Sequence, residues 1–291
     1  RTVLETAQGM RRSTGRIGFL LSYGYFRAAR RFFAPEDFHA RDIAYVARVC
    51  GLAPEDFEAA AYKETTRLRH RRLILGLQGF RPFDTAAETR LVTEIATMVR
   101  AHLKPRMIFG RCVDFLIEQR FQVPSVRRLT DLIRQQMADR KRFLMDVVAA
   151  HLTPTVRDML DDLFARDDGG NRYRLSLLRK LSQSSRPTKV RESADDFSTV
   201  AEIYDAVAPV LEALDLGREG IRYYAGGVLR SEMFQLHRRA EADRHLHVIA
   251  FIADQHHRLH DALIDRLLSV VQSFETAVDR DHKDQIFESR Q

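Results

Sequence analysis

Arginine carries the most pointed chemistry in this 291-residue chain. Between Lys63 and Phe83, in K-E-T-T-R-L-R-H-R-R-L-I-L-G-L-Q-G-F-R-P-F, six cations (Lys63, Arg67, Arg69, Arg71, Arg72 and Arg81) stand against one acid, Glu64. Guanidinium groups are planar forks that bind phosphate and guanine through two parallel hydrogen bonds. A solvated surface helix ordinarily mixes signs so that neighbours four residues apart attract. Here Arg67, Arg69, Arg71 and Arg72 have only Glu64 within reach, so they repel unless an anion meets them, and phosphate contact is the favoured reading over a bare solvated face. Leu68, Ile74, Leu75 and Leu77 recur at helical spacing in the same stretch. One side of this helix should therefore lie on a core, and the four arginines cannot all share the other side.

The remaining reactive residues are less specific. His245, His247, His256, His257 and His260 cluster late in the chain, and His256 and His260 are four apart as in metal-binding helices. No H-E-x-x-H accompanies them, so hydrogen-bonded neutral histidines at a helix interface or its rim are expected, with no metal. The acid pairs Asp161-Asp162, Asp167-Asp168 and Asp195-Asp196 sit at or near helix ends and loops, where Asp is common for reasons unconnected with catalysis. Cys50 and Cys112 fall inside apolar helical patterns and are read as small buried residues of a reducing compartment, not as a disulfide. Nucleophile-elbow, Walker and Cys-x-x-Cys patterns are missing. No catalytic residue, cofactor or metal is assigned to this chain.

The elements that position these groups read as all-α. Gly and Pro fall between periodic segments, and no stretch sustains period-two alternation. Charge divides unevenly: residues 1–150 hold 27 Lys+Arg and 16 Asp+Glu, whereas residues 151–291 hold 20 and 24. A basic first half suits nucleic acid or anionic lipid. No apolar run approaches the ~20 residues of a membrane span, and the start has no apolar segment of a signal peptide, so a membrane partner is not expected. The chain also lacks an initiator Met, as a trimmed start would.

In order, Arg16–Phe33 is a helix with Ile17, Leu20, Leu21, Gly24, Ala28 and Phe32 as its stripe, stopped by Pro35. Residues 39–50 form a second, with Ile43, Val46, Ala47 and Cys50 inward and Gly51 at its end. A short third runs from Pro54 through Phe57 to Tyr62, and the arginine helix then ends at Gly79. Residues 10–84 thus form one helical module. A second, 85–150, opens with a helix over 86–103. Met107–Arg120 follows, with Ile108, Val113, Leu116 and Ile117 on one face. After a break at Phe121-Gln122-Val123-Pro124, Ser125 is placed as an N-cap and Val126, Leu129, Leu132 and Ile133 continue the apolar face. Helix, short turn, helix is the helix-turn-helix pattern, whose second helix meets base edges with its early residues. Arg127, Arg128, Thr130, Asp131 and Arg134 hold the outward positions, of which Arg127, Arg128, Thr130 and Arg134 would contact DNA, with Lys104 and Arg106 beside them for the DNA backbone.

Residues 151–240 read as a helical connector. Thr153-Pro154 opens a helix running to Arg166, Tyr173–Leu181 is a short one, and Ser182–Lys189 is linker-like. Asp196–Leu216 is helical with Pro209 inside it, and the glycine-rich Gly217–Gly227 reads as a plain connection. In 241–291, Leu246, Ala250, Ala253, His257, His260, Ile264, Leu267, Val271, Phe274 and Val278 step by four and three. That heptad seam of about 50 Å should pack along its length on another helix, of this chain or a partner.

Several blocks resemble the N-terminal region of Tn-three-type transposases, the large enzymes of replicative, cointegrate-forming bacterial transposons. They are T-G-R-I-G-F-L-L-S-Y-G-Y-F (Thr14–Phe26), D-I-A-Y-V-A-R-V-C-G-L (Asp42–Leu52) and T-R-L-R-H-R-R-L-I-L-G-L-Q-G-F-R-P-F (Thr66–Phe83). L-K-P-R-M-I-F-G-R (Leu103–Arg111), Q-V-P-S-V-R-R-L-T-D-L-I (Gln122–Ile133) and R-H-L-H-V-I-A-F-I-A (Arg244–Ala253) look like later, looser blocks in the expected order. The resemblance implies helical domains that bind terminal inverted repeats. It also implies a Mg²⁺-dependent catalytic domain, with its acidic triad, farther on than these blocks. This sequence departs from the family in having no tryptophan, and in Ser125 and Val126 where many members have other small residues.

The expectation is therefore a sequence-specific binder of double-stranded DNA at transposon ends, without the catalytic domain of the parent transposase. Its partners would be that DNA, the remaining transposase domains and a second copy through the last helix, in a bacterial cytoplasm. A helical protein-interaction scaffold with a basic surface is the alternative, and an enzyme ranks third.

Overall fold

The computed structural model describes residues 3–166, 173–181 and 190–288, and among them forms no sheet. The chain divides into two compact units, Arg1–Asp139 and Arg140–Gln291. The all-α expectation holds for the described residues.

The first unit begins with α1 (Val3–Gln8), α2 (Ser13–Ala29), α3 (Ala40–Val49) and α4 (Glu64–Gln78). Helix α2 is buried on two sides, not along one stripe. Phe19 and Phe26 pack with Ile74, Leu75 and Phe80, whereas Ile17 and Leu21 pack with Phe38 and Ala47. Gly24 and Ala28, expected inward, are exposed. A helix flanked by α4 on one side and α3 on the other needs two apolar faces, which a single-stripe reading does not anticipate. Gly18 allows one close approach, since a Cβ there would stand 2.8 Å from the Tyr62 ring. Helix α2 ends at Ala29 because Arg30 turns left-handed, with φ 56°. The segment after Pro54 gives only a single 3-10 turn, Pro54–Asp56, in place of a third helix to Tyr62. Helices α3 and α4 stop where expected, at Gly51 and Gly79, both with φ +66°. Cys50 is only half-buried, unlike Cys112.

Helices α5 (Thr85–Arg100), α6 (Pro105–Glu118) and the first half of α7 (Val126–His151) complete the unit, the second half of α7 belonging to the other. Asp84 caps α5 by accepting from the Ala87 N–H at 2.9 Å. Leu91, Ile95, Ile108, Cys112, Leu116, Leu129, Leu132 and Ile133 form the core between these helices. Val126, expected to join that face, is exposed, because the first residue of α7 projects ahead of the core. Backbone hydrogen bonds tie the α6–α7 turn to earlier chain: the Arg81 N–H donates to the Arg120 carbonyl (2.8 Å), Gln122 to Arg81 (2.9 Å) and Val123 to Arg30 (2.8 Å).

In the second unit, α8 (Pro154–Asp162), α9 (Arg174–Leu181), α10 (Val190–Leu214), α11 (Arg218–Arg230) and α12 (Met233–His237) lead to α13 (Glu241–Glu288). The expected linker at 182–189 lies outside the described residues. Thr153 caps α8 as anticipated, and the helix stops at Asp162, short of Arg166. The glycine-rich stretch expected as a connection is instead α11. Its glycines are small for packing reasons: a Cβ on Gly227 would lie 2.4 Å from Cδ2 of His247. Early in α13, Leu246, Val248, Ile249, Ala250, Phe251 and Ile252 are buried on every side, within α10 and α11 and the end of α7. The seam behaves differently beyond His260. Ile264, Leu267, Val271, Phe274 and Val278 are exposed, Phe274 by 66%, so the heptad pattern is not covered along its length. Among the described residues no helix is long and apolar enough to cross a membrane.

Candidate nucleic-acid interface

Helix α4 sorts its arginines by phase. His70 is buried, accepting or donating a 2.8 Å hydrogen bond with the Tyr62 hydroxyl and meeting Phe19 edge-on at 5.3 Å. Burial, with a smaller contribution from the Arg69 charge, pushes its pKa down to about 4. With His70, Ile74 and Leu75 inward, Arg69 and Arg72 point outward and Arg67 and Arg71 flank the core side. Arg67 is paired with Glu64, and Arg71 lies over the Phe32 ring at 5.5 Å. No carboxylate pairs with Arg69 or Arg72 among the described residues. Leu68 and Leu77, expected on the core face, are exposed, as is Leu73. The buried histidine takes the place in the core that the periodicity offered to leucine.

An open cleft of about 540 Å³ lies along this helix, lined by Arg71, Arg72, Gly76, Phe80, Pro82 and Gln122 among others, none of them acidic. It brings two of the predicted arginines together with the α6–α7 turn. Two further cations border it through the Phe80 ring, and a third stacks on Phe121, next in the chain to Gln122. Arg30 and Arg120 lie over Phe80 at 5.4 and 5.5 Å, and Arg81 lies over Phe121 at 4.2 Å. None of these three is among the residues expected to contact DNA, although Arg81 belongs to the cation-rich stretch Lys63–Phe83. Their signal was the recurrence of Arg beside Phe at helix ends, in R-R-F-F, G-F-R-P-F and Q-R-F-Q.

The other predicted residues sit on α6 and α7. The Ser125 hydroxyl accepts from the Arg128 N–H at 3.2 Å, the N-cap expected there. The Arg128 guanidinium is engaged by Glu88 of α5, with Nε 3.1 Å from one carboxylate oxygen and Nη2 bonded to the other. Arg127 and Arg134 stand out into solvent, with side chains 94% and 76% exposed, each only loosely approaching Asp131 at 3.9 and 3.8 Å. Thr130 turns its hydroxyl back onto the Val126 carbonyl at 2.7 Å. Lys104 and Arg106 are exposed at the start of α6. None of these six lines the cleft. Helices α6 and α7 both open with cations and have no acid in the first turn. The helix dipole favours negative charge at that end, so the arrangement is tense in isolation and relaxed by an anion.

In the second unit the histidines and acids hold each other. Asp161 accepts from Arg244 and contacts His245 Nε2, both at 2.9 Å. Burial alone would raise that carboxyl, but the bonds from His245 and Arg244 outweigh it and hold its pKa low. Asp243 is likewise raised by burial and brought well below the carboxylate range by His247 and Lys141. His256 stacks on Tyr204 at 3.9 Å. His257 and His260 are exposed. Asp162 pairs with Arg174, Asp195-Asp196 falls within α10, and Asp167-Asp168 lies outside the described residues. Among the described residues no group of three or more His, Cys, Asp or Glu is placed to hold a metal ion. Burial raises the Cys112 thiol to about 12, which leaves it unreactive.

Fold and site together define an all-α protein whose first unit carries a basic, acid-free cleft. Residues 3–136 of that unit match a family described as a domain of unknown function (DUF4158). A comparison with curated proteins finds no match to the chain.

Proposed function

We propose that the first unit binds double-stranded DNA, recognising the terminal inverted repeats of a transposon as the N-terminal part of a DDE-type, cointegrate-forming transposase. One observation carries this reading: Arg69 and Arg72 project from α4 without carboxylate partners, beside a cleft lined by arginine and no acid. Phosphates are the anions that would relieve that charge, and they also suit the cationic starts of α6 and α7. The blocks resembling Tn-three-type transposases fall largely in the same unit and narrow the DNA to transposon ends. Lys104, Arg106, Arg127 and Arg134 would hold backbone, and Arg128 and Thr130 would meet bases once Arg128 leaves Glu88. The chain would itself catalyse nothing and hold no cofactor, with Mg²⁺ chemistry belonging to the parent enzyme's catalytic domain. It would act in the bacterial cytoplasm, on the nucleoid. The exposed seam of α13 would dock the other transposase domains or a second copy; a strictly monomeric chain in sedimentation at micromolar concentration would exclude the second copy.

A specific observation also favours a protein partner. Leu68, Leu73 and Leu77 are exposed among the arginines of α4. A gel shift in moderate salt separates the two: the DNA reading expects the transposon's own end to be bound in preference to random duplex, and the scaffold reading expects no preference.

A further inference from the structure

Gly76 is a glycine without a local reason. It lies inside α4, where glycine costs about 1 kcal/mol relative to alanine. Other glycines have their reasons: Gly18 faces the Tyr62 ring, Gly227 faces His247, and Gly51 and Gly79 hold φ +66°. A Cβ on Gly76 would meet no atom within 4 Å, and its backbone is helical. It differs from the equally open Gly24 in lining the arginine cleft. Gly110 repeats the arrangement on α6, open and one turn after Arg106 as Gly76 is one turn after Arg72.

A bare backbone of this kind serves the close approach of a ligand. The walls say which ligand. Arg71 and Arg72 supply charge, Leu75 and Phe80 supply apolar surface, and Gln122 adds an amide. A sugar–phosphate strand has that alternation, an apolar sugar edge between anionic groups. The C-terminal end of α4 disfavours an anion at Gly76 itself, whereas one turn earlier the two guanidinia favour it. We propose that this cleft seats one strand of duplex DNA, with a deoxyribose against Gly76 and its flanking phosphates on Arg71 and Arg72. The proposal rests on the DNA-binding reading and adds the seat to it.

The test uses the whole 291-residue chain and a random-sequence duplex of about three helical turns, by fluorescence anisotropy at fixed salt. Gly76→Ala should raise the melting temperature, because it removes a helix glycine into open space, and should weaken binding about tenfold, the scale of forcing a methyl into a filled contact. Gly24→Ala should raise the melting temperature and leave affinity unchanged. If Gly76→Ala binds like the parent while Arg72→Ala loses affinity, the seat is refuted and DNA binding stands. A melting temperature lowered by Gly76→Ala would also overturn it, by showing a structural need for the glycine. A parent chain that does not bind the duplex at all overturns the DNA reading and the seat with it.

Discussion

Replacing Arg69 and Arg72 together by alanine perturbs the unpaired charge of α4 while leaving its core face of His70, Ile74 and Leu75 untouched. If each guanidinium neutralises one phosphate of B-DNA, each loss should lower the slope of log K against log salt by about 0.9. The double variant should therefore lose about 1.8 from the slope. At 0.1 M salt the same relation gives about eightfold in affinity per contact, hence roughly sixtyfold for both. Arg67→Ala is the internal comparison. Its guanidinium is held by Glu64, so its removal should change the slope little. The assay is a salt titration of duplex affinity by anisotropy, with circular dichroism to confirm folding. A double variant with the parent's slope, or an Arg67→Ala slope change as large as that of the outward pair, would refute the assignment of charge by helix phase.

Three other outcomes follow from the same structure. His70 has a folded pKa near 4 against 6.5 in the unfolded chain, so between those values the unfolded state binds more protons and stability falls as pH falls. The loss should reach about 2 kcal/mol at pH 5 in urea denaturation, and a chain equally stable at pH 7 and 5 would contradict the burial of a neutral His70. Glu88→Ala should cost little stability, since its pair with Arg128 is substantially exposed, and should tighten DNA binding by freeing that arginine; weaker binding would argue that the pair itself shapes the interface. Gly227→Ala should destabilise the chain by about 1–3 kcal/mol, because the new methyl meets the His247 ring; an unchanged melting temperature would show that α11 and α13 pack less closely than they do here.

Most helices are readable because helix starts and stops are encoded locally. The Thr153-Pro154 start, the Ser125 cap and the left-handed glycines at Gly51 and Gly79 are each set by a residue's own backbone preferences and nearest partners. The direction each helix faces was less readable. Leu68 and Leu77 carry the same hydrophobic label as Ile74 and Leu75, yet only the latter pair is buried. The α2 stripe failed for the opposite reason, since two neighbours demanded two faces. Glycine misled in α11, where its small size serves packing against His247 and not a loop. For the candidate site, the arginine run on α4 could be picked out by its missing acids. The cations Arg30, Arg81 and Arg120 show in sequence only as Arg beside Phe at helix ends; that Arg30 and Arg120 share the Phe80 ring could not be read there, because the two come from separate helix ends.

By itself the amino-acid order determined that this chain is helical, that its first half is basic, and which stretch concentrates guanidinium groups. These follow from local periodicity and charge, which need no knowledge of neighbours. Only the tertiary structure decided which guanidinia remain free. Arg67 is taken by Glu64 from its own helix, but Arg128 is taken by Glu88, 40 residues away, whereas Arg71 lies over the Phe32 ring and keeps its N–H donors for the cleft. Likewise the seam of α13 is one uniform pattern in sequence, buried at Leu246 and bare at Phe274. A hydrophobic or cationic side chain states what it needs; whether that need is met depends on which distant element reaches it.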